Sequence, residues 1–251
     1  MTVGTMIEVQ DLSLLFPLYH GNSRSLKKLL IAAASGRLAE DKQHRVMVRA
    51  LSGINFSLKS GERLGLIGSN GAGKTTLLRV LAGIYEPVTG TVRVNGTLNA
   101  LLDPSLGMNL ELTGRENILL RGLYNGLSKP QLKALEDDVI EFAELSDFID
   151  LPVRIYSAGM VVRLGFALAT AIRPQILLMD EWFLAGDAGF LEKARRRMEE
   201  MVRSADTFVL STHNNAILIE WCTRALWLDK GRIRADGPVR DVVARYVDAS
   251  S

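Results

Sequence analysis

The sequence has a single cysteine, little net charge and no long hydrophobic run. The lone Cys222 cannot form a disulfide within the chain, which excludes the disulfide-stabilised class of small secreted proteins. The longest stretch without Asp, Glu, Lys or Arg extends only from Thr207 to Ile219, which is shorter than the roughly 20 apolar residues of a membrane-spanning helix. The 30 basic and 28 acidic residues give a net charge of +2, too small to indicate a polyanion bound by the whole surface.

The composition is that of a folded globular protein. Hydrophobic residues make up 47% of the 251 positions and charged residues 23%, which excludes collagen-like, coiled-coil and disordered chains. This length predicts one large domain or two small ones. The N-terminal residues MTVGTMIEVQD lack the basic and apolar regions of a signal peptide, so we expect the protein in the cytosol.

Two segments near the N-terminus have the pattern of half-buried strands. Apolar and polar residues alternate from Ile7 to Phe16 and again from Ile54 to Leu58. This pattern predicts an antiparallel β section.

Between these strands, residues His20–Arg49 form a basic segment that matches neither of them. It has seven basic and two acidic residues, a net charge of 7 − 2 = +5. Leucines and alanines in SLKKLLIAAASG recur at helical spacing before Gly36, which predicts a short amphipathic helix. Two interpretations of this insertion stay open: a basic surface that rests on anionic lipid or gates the entrance of a lipid-linked pyrophosphate, or a solvated connector.

From Arg63 onward, short apolar strands alternate with helices, which predicts an α/β fold with a buried parallel sheet. RLGLIG predicts a strand, which is followed by a glycine-rich loop and the helix TTLLRVLAGI. Two capping boxes, T-x-x-E from Thr113 and S-x-x-Q from Ser128, begin helices in a mostly helical region at 113–172. Further strands are predicted at 176–181, 207–212 and 224–229.

The sequence GSNGAGKT matches the phosphate-binding loop G-x-x-x-x-G-K-[ST] and lies between a predicted strand and a predicted helix. Its glycines let backbone N–H groups surround phosphates, and the helix N-terminus adds the positive end of its dipole. Lys74 is the candidate for the β- and γ-phosphates, and the Thr75 hydroxyl is the candidate for Mg²⁺. The nucleotide-binding candidates in this region are Gly68, Ser69, Asn70, Gly71, Ala72, Gly73, Lys74, Thr75 and Thr76.

Polar residues end two of the predicted apolar strands. ILLMDE ends with Asp180 and Glu181, which suit a carboxylate that supports the metal and one that orients or deprotonates a water. His213 follows the strand FVLST, and its imidazole can donate a hydrogen bond to the γ-phosphate. Each has a structural alternative, since acidic strand ends and capping or core histidines are common without such a site.

IYSAGM and the following VVRLGFALATAIRPQILLMDE resemble the ATP-binding subunits of ABC transporters, in which a signature turn, a helix and the Walker B strand follow one another. Most of that family has LSGGQ in the turn. The variant YSAGM at Tyr156–Met160, together with DEWFLAGDAGFLEKA and NLELTGRENI, is similar to polysaccharide and O-antigen exporter ATPases. STH at 211–213 matches the family's switch-histidine motif. The resemblance covers nearly the whole chain from Ile7.

The resemblance implies an α/β P-loop ABC ATPase nucleotide-binding domain spanning residues 1–251. It has an N-terminal antiparallel β section, the basic insertion at about 20–49 and a helical subdomain at about 103–172. The resemblance also implies a head-to-tail homodimer that holds ATP between the phosphate loop of one copy and Ser157 and Gly159 of the other. Asp187 is then expected in the turn between the two sites.

The resemblance also assigns roles to the remaining candidates. Glu181 is the catalytic carboxylate, Asp180 supports Mg²⁺ and His213 contacts the γ-phosphate. Phe16 falls where the family has an aromatic residue that stacks on adenine, with nearby Tyr19 as an alternative, and it is otherwise an ordinary core residue at a strand end.

One segment departs from the family pattern. The family has a Gln before the helical subdomain that touches Mg²⁺ and senses the membrane partner, but ALLDPSLGMN at 100–109 contains none. Asp103 is the candidate replacement.

The function implied by the resemblance is ATP hydrolysis that drives export of a lipid-linked, O-antigen-like polysaccharide through a separate integral membrane permease. We expect a peripheral protein on the cytoplasmic face of the cell membrane, bound through the permease, with no nucleic-acid partner. Because the chain ends at Ser251 after the helix DVVARYVDA, we expect no C-terminal carbohydrate-binding domain.

Three other functions stay open. The chain is alternatively the ATPase of a teichoic acid or capsule exporter, a drug exporter or an importer; YSAGM and the missing Gln argue against the last two. A soluble ABC ATPase acting on nucleic acid or ribosomes usually has two cassettes or a coiled coil, and this chain has neither. A phosphotransferase with an ordinary P-loop would not need Ser157-Ala158-Gly159 before the Walker B strand.

Overall fold

The computed structural model describes residues 4–17, 38–40, 46–102, 108–181 and 188–250. They divide into two compact units, as far as their residues are described. The first consists of Met1–Ala100, Ile176–Glu181 and Asp206–Ser251, and the second of Leu101–Gln175 and Trp182–Ala205. Within the described ranges, no helix is both long and apolar enough to cross a membrane.

The described ranges contain strands and helices in a mixed order. The strands are β1 (Thr5–Pro17), β2 (Leu38–Glu40), β3 (Val46–Lys59), β4 (Arg63–Ile67), β5 (Thr89–Val94), β6 (Leu98–Leu101), β7 (Ile176–Asp180), β8 (Thr207–Ser211), β9 (Arg224–Asp229) and β10 (Arg232–Pro238). The helices are α1 (Lys74–Leu81), α2 (Gly114–Tyr124), α3 (Lys129–Ala143), α4 (Ala158–Thr170), α5 (Ala188–Ser204), α6 (Asn215–Trp221) and α7 (Val239–Ser250). A 3-10 turn occupies Val153–Ile155.

The first unit has an antiparallel sheet with the strand order β2-β3-β1-β5. β1 pairs with β3 so that Val9 lies opposite Phe56 and Phe16 lies opposite Val48. The alternating apolar side chains face the core, and Ile7, Leu12, Ile54 and Leu58 are fully buried. The predicted antiparallel β section is therefore confirmed.

The structure corrects one end of the predicted basic insertion. β3 already begins at Val46, and Leu38–Glu40 pairs with this end of β3 as an added edge strand. Residues 46–49 belong to the sheet because they begin with three apolar residues, two of them β-branched valines, which favour a strand. The helix predicted in SLKKLLIAAASG lies outside the described residues.

The second sheet has the strand order β10-β9-β4-β8-β7-β6. β4, β7, β8 and β9 are parallel, as predicted, and β10 pairs antiparallel with β9. Every residue of β7 and β8 is buried, which explains why their sequences are almost entirely apolar. The carboxyl ends of parallel strands meet at one edge of a sheet. The segments after β4, β8 and β7 therefore lie side by side.

The second unit contains both predicted capping boxes. The N–H of Thr113 donates to the Glu116 carboxylate at 2.8 Å, and the N–H of Glu116 donates to the Thr113 hydroxyl at 3.1 Å. The N–H of Ser128 donates to Gln131 Oε1 at 2.9 Å. These contacts satisfy backbone N–H groups at the starts of α2 and α3, where a helix provides no acceptor.

Helix α5 packs against α3 and α4 in the same unit. The Phe190 ring lies 5.7 Å from that of Phe142 and 6.0 Å from that of Phe166, measured between centroids. Lys193 Nζ donates to the Phe142 carbonyl at 3.0 Å, and the Arg197 guanidinium lies 4.3 Å from the centroid of the Phe142 ring. Sequence patterns did not predict this grouping, because α5 joins the other helices only through tertiary contacts.

Cys222 is buried and belongs to the core of the first unit. It packs against β4, since a Cβ atom built on Gly65 would lie 3.5 Å from its Sγ. Burial raises the pKa of the thiol to about 12, and the opposing effect of the Arg63 charge is smaller.

We expect the native protein to react very slowly with the thiol reagent DTNB at about pH 8. The raised pKa lowers the thiolate fraction by about a thousandfold relative to an ordinary thiol, and burial restricts access. Release of thionitrobenzoate measures the rate, and the same protein in denaturant is the control. Equal rates in the two conditions would contradict the burial of Cys222.

Candidate functional site

The phosphate-binding loop Gly68–Gly73 connects β4 to α1. Gly68 has a φ of 151°, and a Cβ there would lie 2.2 Å from the carbonyl oxygen of Leu228, so only glycine fits. Gly73, with a φ of 113°, caps α1 in the left-handed conformation. The Gly231 N–H donates to the Ala72 carbonyl at 2.8 Å, which ties the loop to the turn between β9 and β10.

Lys74 is the first residue of α1, and its side chain is buried within this loop. Its Nζ donates to the carbonyl oxygens of Gly68 at 2.7 Å and Ser69 at 3.2 Å. Burial lowers the pKa of Lys74, and the charges of Asp180 and Glu181 partly oppose this effect. The loop therefore holds a desolvated cation, which favours an anion such as a phosphate, while the two nearby carboxylates favour a cation beside that anion.

Asp180 and Glu181 end β7 beside β8. Asp180 is buried and lies opposite Ser211 in the parallel pairing. The Glu181 N–H donates to the Ser211 carbonyl at 2.7 Å, and Glu181 has a φ of 60°. A left-handed glutamate is uncommon, and such strained residues concentrate at functional sites.

His213 follows β8, the strand between β4 and β7. Its Nε2 lies 3.4 Å from Glu181 Oε1, and both side chains are about half exposed. Asn214 then caps α6 by accepting from the N–H groups of Ala216 and Ile217. An imidazole and a carboxylate are thus in contact at the sheet edge that carries the phosphate-binding loop.

The oxygen donors at this edge fit Mg²⁺, which prefers hydroxyl, carboxylate and water oxygens. Thr75 is half-buried in the first turn of α1, next to Lys74, whose charge interacts with the buried Asp180. Among the described residues, no group of three or more His, Cys, Asp or Glu has the arrangement of a metal site. Thr75 and Asp180 are oxygen donors of the kind that bind Mg²⁺ together with phosphate oxygens and waters.

Phe16 is half-buried near the end of β1. Its ring meets that of Tyr85 at a centroid distance of 5.2 Å and an interplanar angle of 76°. Sequence reasoning missed Tyr85, and the available signal was an aromatic residue two positions after Gly83, in the segment that follows α1. Tyr19, the alternative to Phe16, lies outside the described residues.

Ser157 and Gly159 lie in the second unit, whereas the phosphate-binding loop lies in the first. Ser157 caps α4 by accepting from the Met160 N–H at 3.3 Å. Both residues are exposed, and a Cβ on Gly159 would have only Ser157 Oγ within 4 Å, at 3.9 Å. The fold of this chain therefore does not require glycine at 159. Asp103 and Asp187 lie outside the described residues.

Comparison with known families gives a match to the ABC transporter family over residues 51–184. The chain is 41% identical to the O-antigen export system ATP-binding protein RfbE of Yersinia enterocolitica, covering 91% of this chain and 96% of that protein. It is 42% identical to RfbB of Myxococcus xanthus, covering 82% and 47%. It is also 38% identical to the teichoic acids export ATP-binding protein TagH of Bacillus cereus, covering 96% and 42%. The chain thus spans less than half the length of the last two relatives.

Solved structures have the same fold. One described as the ATP-binding subunit of an ABC transporter has a TM-score of 0.68 at 24% identity, covering 96% of this chain and 93% of that chain. A dimeric ATP-binding cassette in a post-hydrolysis state, bound to ADP and Pi, has a TM-score of 0.67 at 19% identity, covering 94% and 99%. These similarities confirm the predicted α/β nucleotide-binding fold.

Proposed function

Because the chain belongs to the ABC transporter family and has the ATP-binding fold of that family, we propose that it hydrolyses ATP to drive polysaccharide export through a membrane permease. The observation that carries the hydrolysis is the contact of Glu181 with His213 beside the buried Lys74. One sheet edge thereby carries a cation for the phosphates (Lys74), a carboxylate to support a metal (Asp180) and a proton acceptor (Glu181).

Each residue at this edge has a role that follows from its chemistry. The N–H groups of the loop, the N-terminus of α1 and the Lys74 ammonium bind the triphosphate. Thr75 and Asp180 would hold Mg²⁺, which would neutralise charge on the phosphates. Glu181 orients the attacking water and accepts its proton, and His213 donates a hydrogen bond to the γ-phosphate. The half-exposed carboxylate of Glu181 remains accessible to that water.

The second part of the proposal is a head-to-tail dimer in which Ser157 and Gly159 of one copy contact the nucleotide of the other. Its support is the exposed N-terminus of α4, where a glycine that the fold does not need lets backbone N–H groups approach a phosphate. The solved dimeric cassette at 19% identity shows the shared fold.

We expect Gly159→Asp to prevent ATP-induced dimerisation, because a carboxylate at this position repels the triphosphate. The monomer should keep its melting temperature, since the added side chain points into open space. Size-exclusion chromatography with light scattering, in a hydrolysis-deficient background, measures the dimer. Gly159→Ala is the matched control and should dimerise, while dimers of Gly159→Asp would exclude this surface from the interface.

The proposed cargo is a lipid-linked polysaccharide of the O-antigen type. The relatives named for O-antigen export support it, including RfbE at 41% identity over nearly its whole length. Teichoic acid is the second candidate, because TagH proteins of several bacteria are 36–40% identical. Both candidates are long anionic or neutral glycopolymers.

The permease would hold the protein at the cytoplasmic face of the membrane. Two leucines one helical turn apart on α2, Leu119 and Leu123, are 47% and 54% exposed. Exposed apolar side chains on one helix face are typical of a protein contact, and we propose this face as a contact with the permease.

We expect the double variant Leu119→Asp and Leu123→Asp to lose most surface polysaccharide, because two charges oppose docking of an apolar partner. ATP hydrolysis by the purified variant should be retained. The control is Val88→Asp, at a 56% exposed valine of the first unit. Normal surface polysaccharide in the double variant would exclude this face.

Gene deletion in the native host tests the proposed cargo. We expect the deletion to abolish long-chain surface polysaccharide, and the wild-type gene, but not a Glu181→Gln gene, to restore it. Polysaccharide is measured by gel electrophoresis and by sugar analysis, which separates an O-antigen from a teichoic acid. An unchanged surface glycan would refute polysaccharide export while leaving the ATPase assignment intact.

A further inference from the structure

Tyr85 links the phosphate-binding helix to the aromatic residue at the end of β1. Its ring contacts that of Phe16 at 5.2 Å between centroids. Its hydroxyl oxygen accepts a hydrogen bond from Arg79 Nη1 at 3.2 Å, and Arg79 belongs to α1, the helix that begins at Lys74. All four residues lie in the first unit.

The backbone also fixes Tyr85 to α1. The N–H groups of Ile84 and Tyr85 both donate to the Arg79 carbonyl, at 2.9 Å and 3.3 Å. The chain therefore turns back on the end of the helix, and the Arg79 guanidinium lies 5.9 Å from the centroid of the Tyr85 ring. Backbone and side-chain contacts thus give Tyr85 a position set by the helix rather than by the loop alone.

The angle between the rings leaves Phe16 able to stack on a flat ligand. At an interplanar angle of 76°, Tyr85 covers at most one face of the Phe16 ring. Edge-to-face aromatic pairs are favourable and orient both rings. Half-burial of Phe16 leaves part of its ring accessible.

We propose that Tyr85 is a positioning residue for adenine: it holds the Phe16 ring at a fixed place relative to the phosphate-binding loop. This inference rests on the proposed ATPase function and on the expectation, given by the family resemblance, that Phe16 stacks on adenine. Tyr85 acts through Phe16 and does not touch the phosphates. Its removal therefore weakens recognition of the base and leaves recognition of the triphosphate unchanged.

The experiment compares Tyr85→Ala, Tyr85→Phe, Phe16→Ala and the double alanine variant as purified full-length proteins. We expect Tyr85→Ala to raise KM for ATP by about three- to tenfold, with kcat within about twofold of wild type. The Kd for inorganic tripolyphosphate, which has no base, should be unchanged. Tyr85→Phe keeps the aromatic ring that contacts Phe16, so this variant should have the wild-type KM. Ile84→Ala, at the exposed neighbour of Tyr85, is the control.

The double variant should have the KM of Phe16→Ala, because Tyr85 has no effect once the Phe16 ring is absent. If Phe16→Ala raises KM and Tyr85→Ala does not, the positioning role is refuted while the role of Phe16 stands. If Phe16→Ala leaves KM unchanged, the proposed adenine contact fails and the inference falls with it. Equal weakening of ATP and tripolyphosphate binding by Tyr85→Ala would show a general structural role and overturn the inference.

Discussion

Glu181→Gln is expected to lower kcat for ATP hydrolysis by about 10²- to 10⁴-fold, the usual contribution of a general base. The amide has the shape of the carboxylate but cannot accept a proton from water. The Glu181 side chain is half-exposed, and the residue is held to β8 by a hydrogen bond from its backbone N–H to the Ser211 carbonyl. The substitution keeps this backbone bond, so it should leave the structure intact. The affinity for ATP should be retained, and ATP should accumulate in a stable dimer.

Phosphate release measures kcat, and equilibrium binding of ATP measures the affinity. Glu220→Gln, an exposed carboxylate on α6 of the same unit, is the matched control and should hydrolyse ATP at the wild-type rate. Hydrolysis by Glu181→Gln within a few fold of wild type would assign the proton acceptor to another residue. His213→Ala should have a smaller effect, since it removes a hydrogen bond rather than the base.

Lys74→Met is expected to weaken ATP binding by about 10²- to 10³-fold, because it removes a desolvated cation from the phosphate-binding loop. The free energy of unfolding should change by less than about 1 kcal/mol, since burial of this charge does not favour the fold. Methionine fills a similar volume without the charge. Calorimetry with ATP and chemical denaturation measure the two quantities separately.

The pH dependence of stability provides an independent readout for Lys74. Burial lowers its pKa below 10.5 in the folded protein, so the unfolded chain binds this proton more tightly. The free energy of unfolding therefore rises with pH through the window between the lowered pKa and 10.5. Lys74→Met should lack this rise. Unchanged ATP affinity in the variant would refute the phosphate-binding role of Lys74, whether or not the free energy of unfolding changes.

Signals that lie within a few residues of one another predicted the structure well. The capping boxes at Thr113 and Ser128 appear because a helix start needs polar acceptors at fixed spacing. The glycine-rich loop was predictable because a motif between a strand and a helix fixes its place at a sheet edge. Asp180 ends β7 and His213 follows β8. Because these strands are parallel neighbours, their carboxyl ends place the two residues near each other.

Features that depend on distant contacts were not predictable. The packing of Phe190 against Phe142 and Phe166 joins residues that are far apart in the chain. Glu181 is left-handed where its N–H donates to the carbonyl of Ser211, a residue of a strand 30 positions further along the chain. The contact between Phe16 and Tyr85 arises from sheet register and the turn after α1. None of these has a local sequence signal of its own.

The burial of Cys222 makes the chain suitable for site-specific labelling. Its thiol is the only one in the sequence and is shielded by the packing of α6 against β4. A cysteine introduced on an exposed surface can therefore carry a spin label or fluorophore without prior removal of the native residue. Distances between labels on two copies then test whether the proposed dimer forms with ATP and separates after hydrolysis.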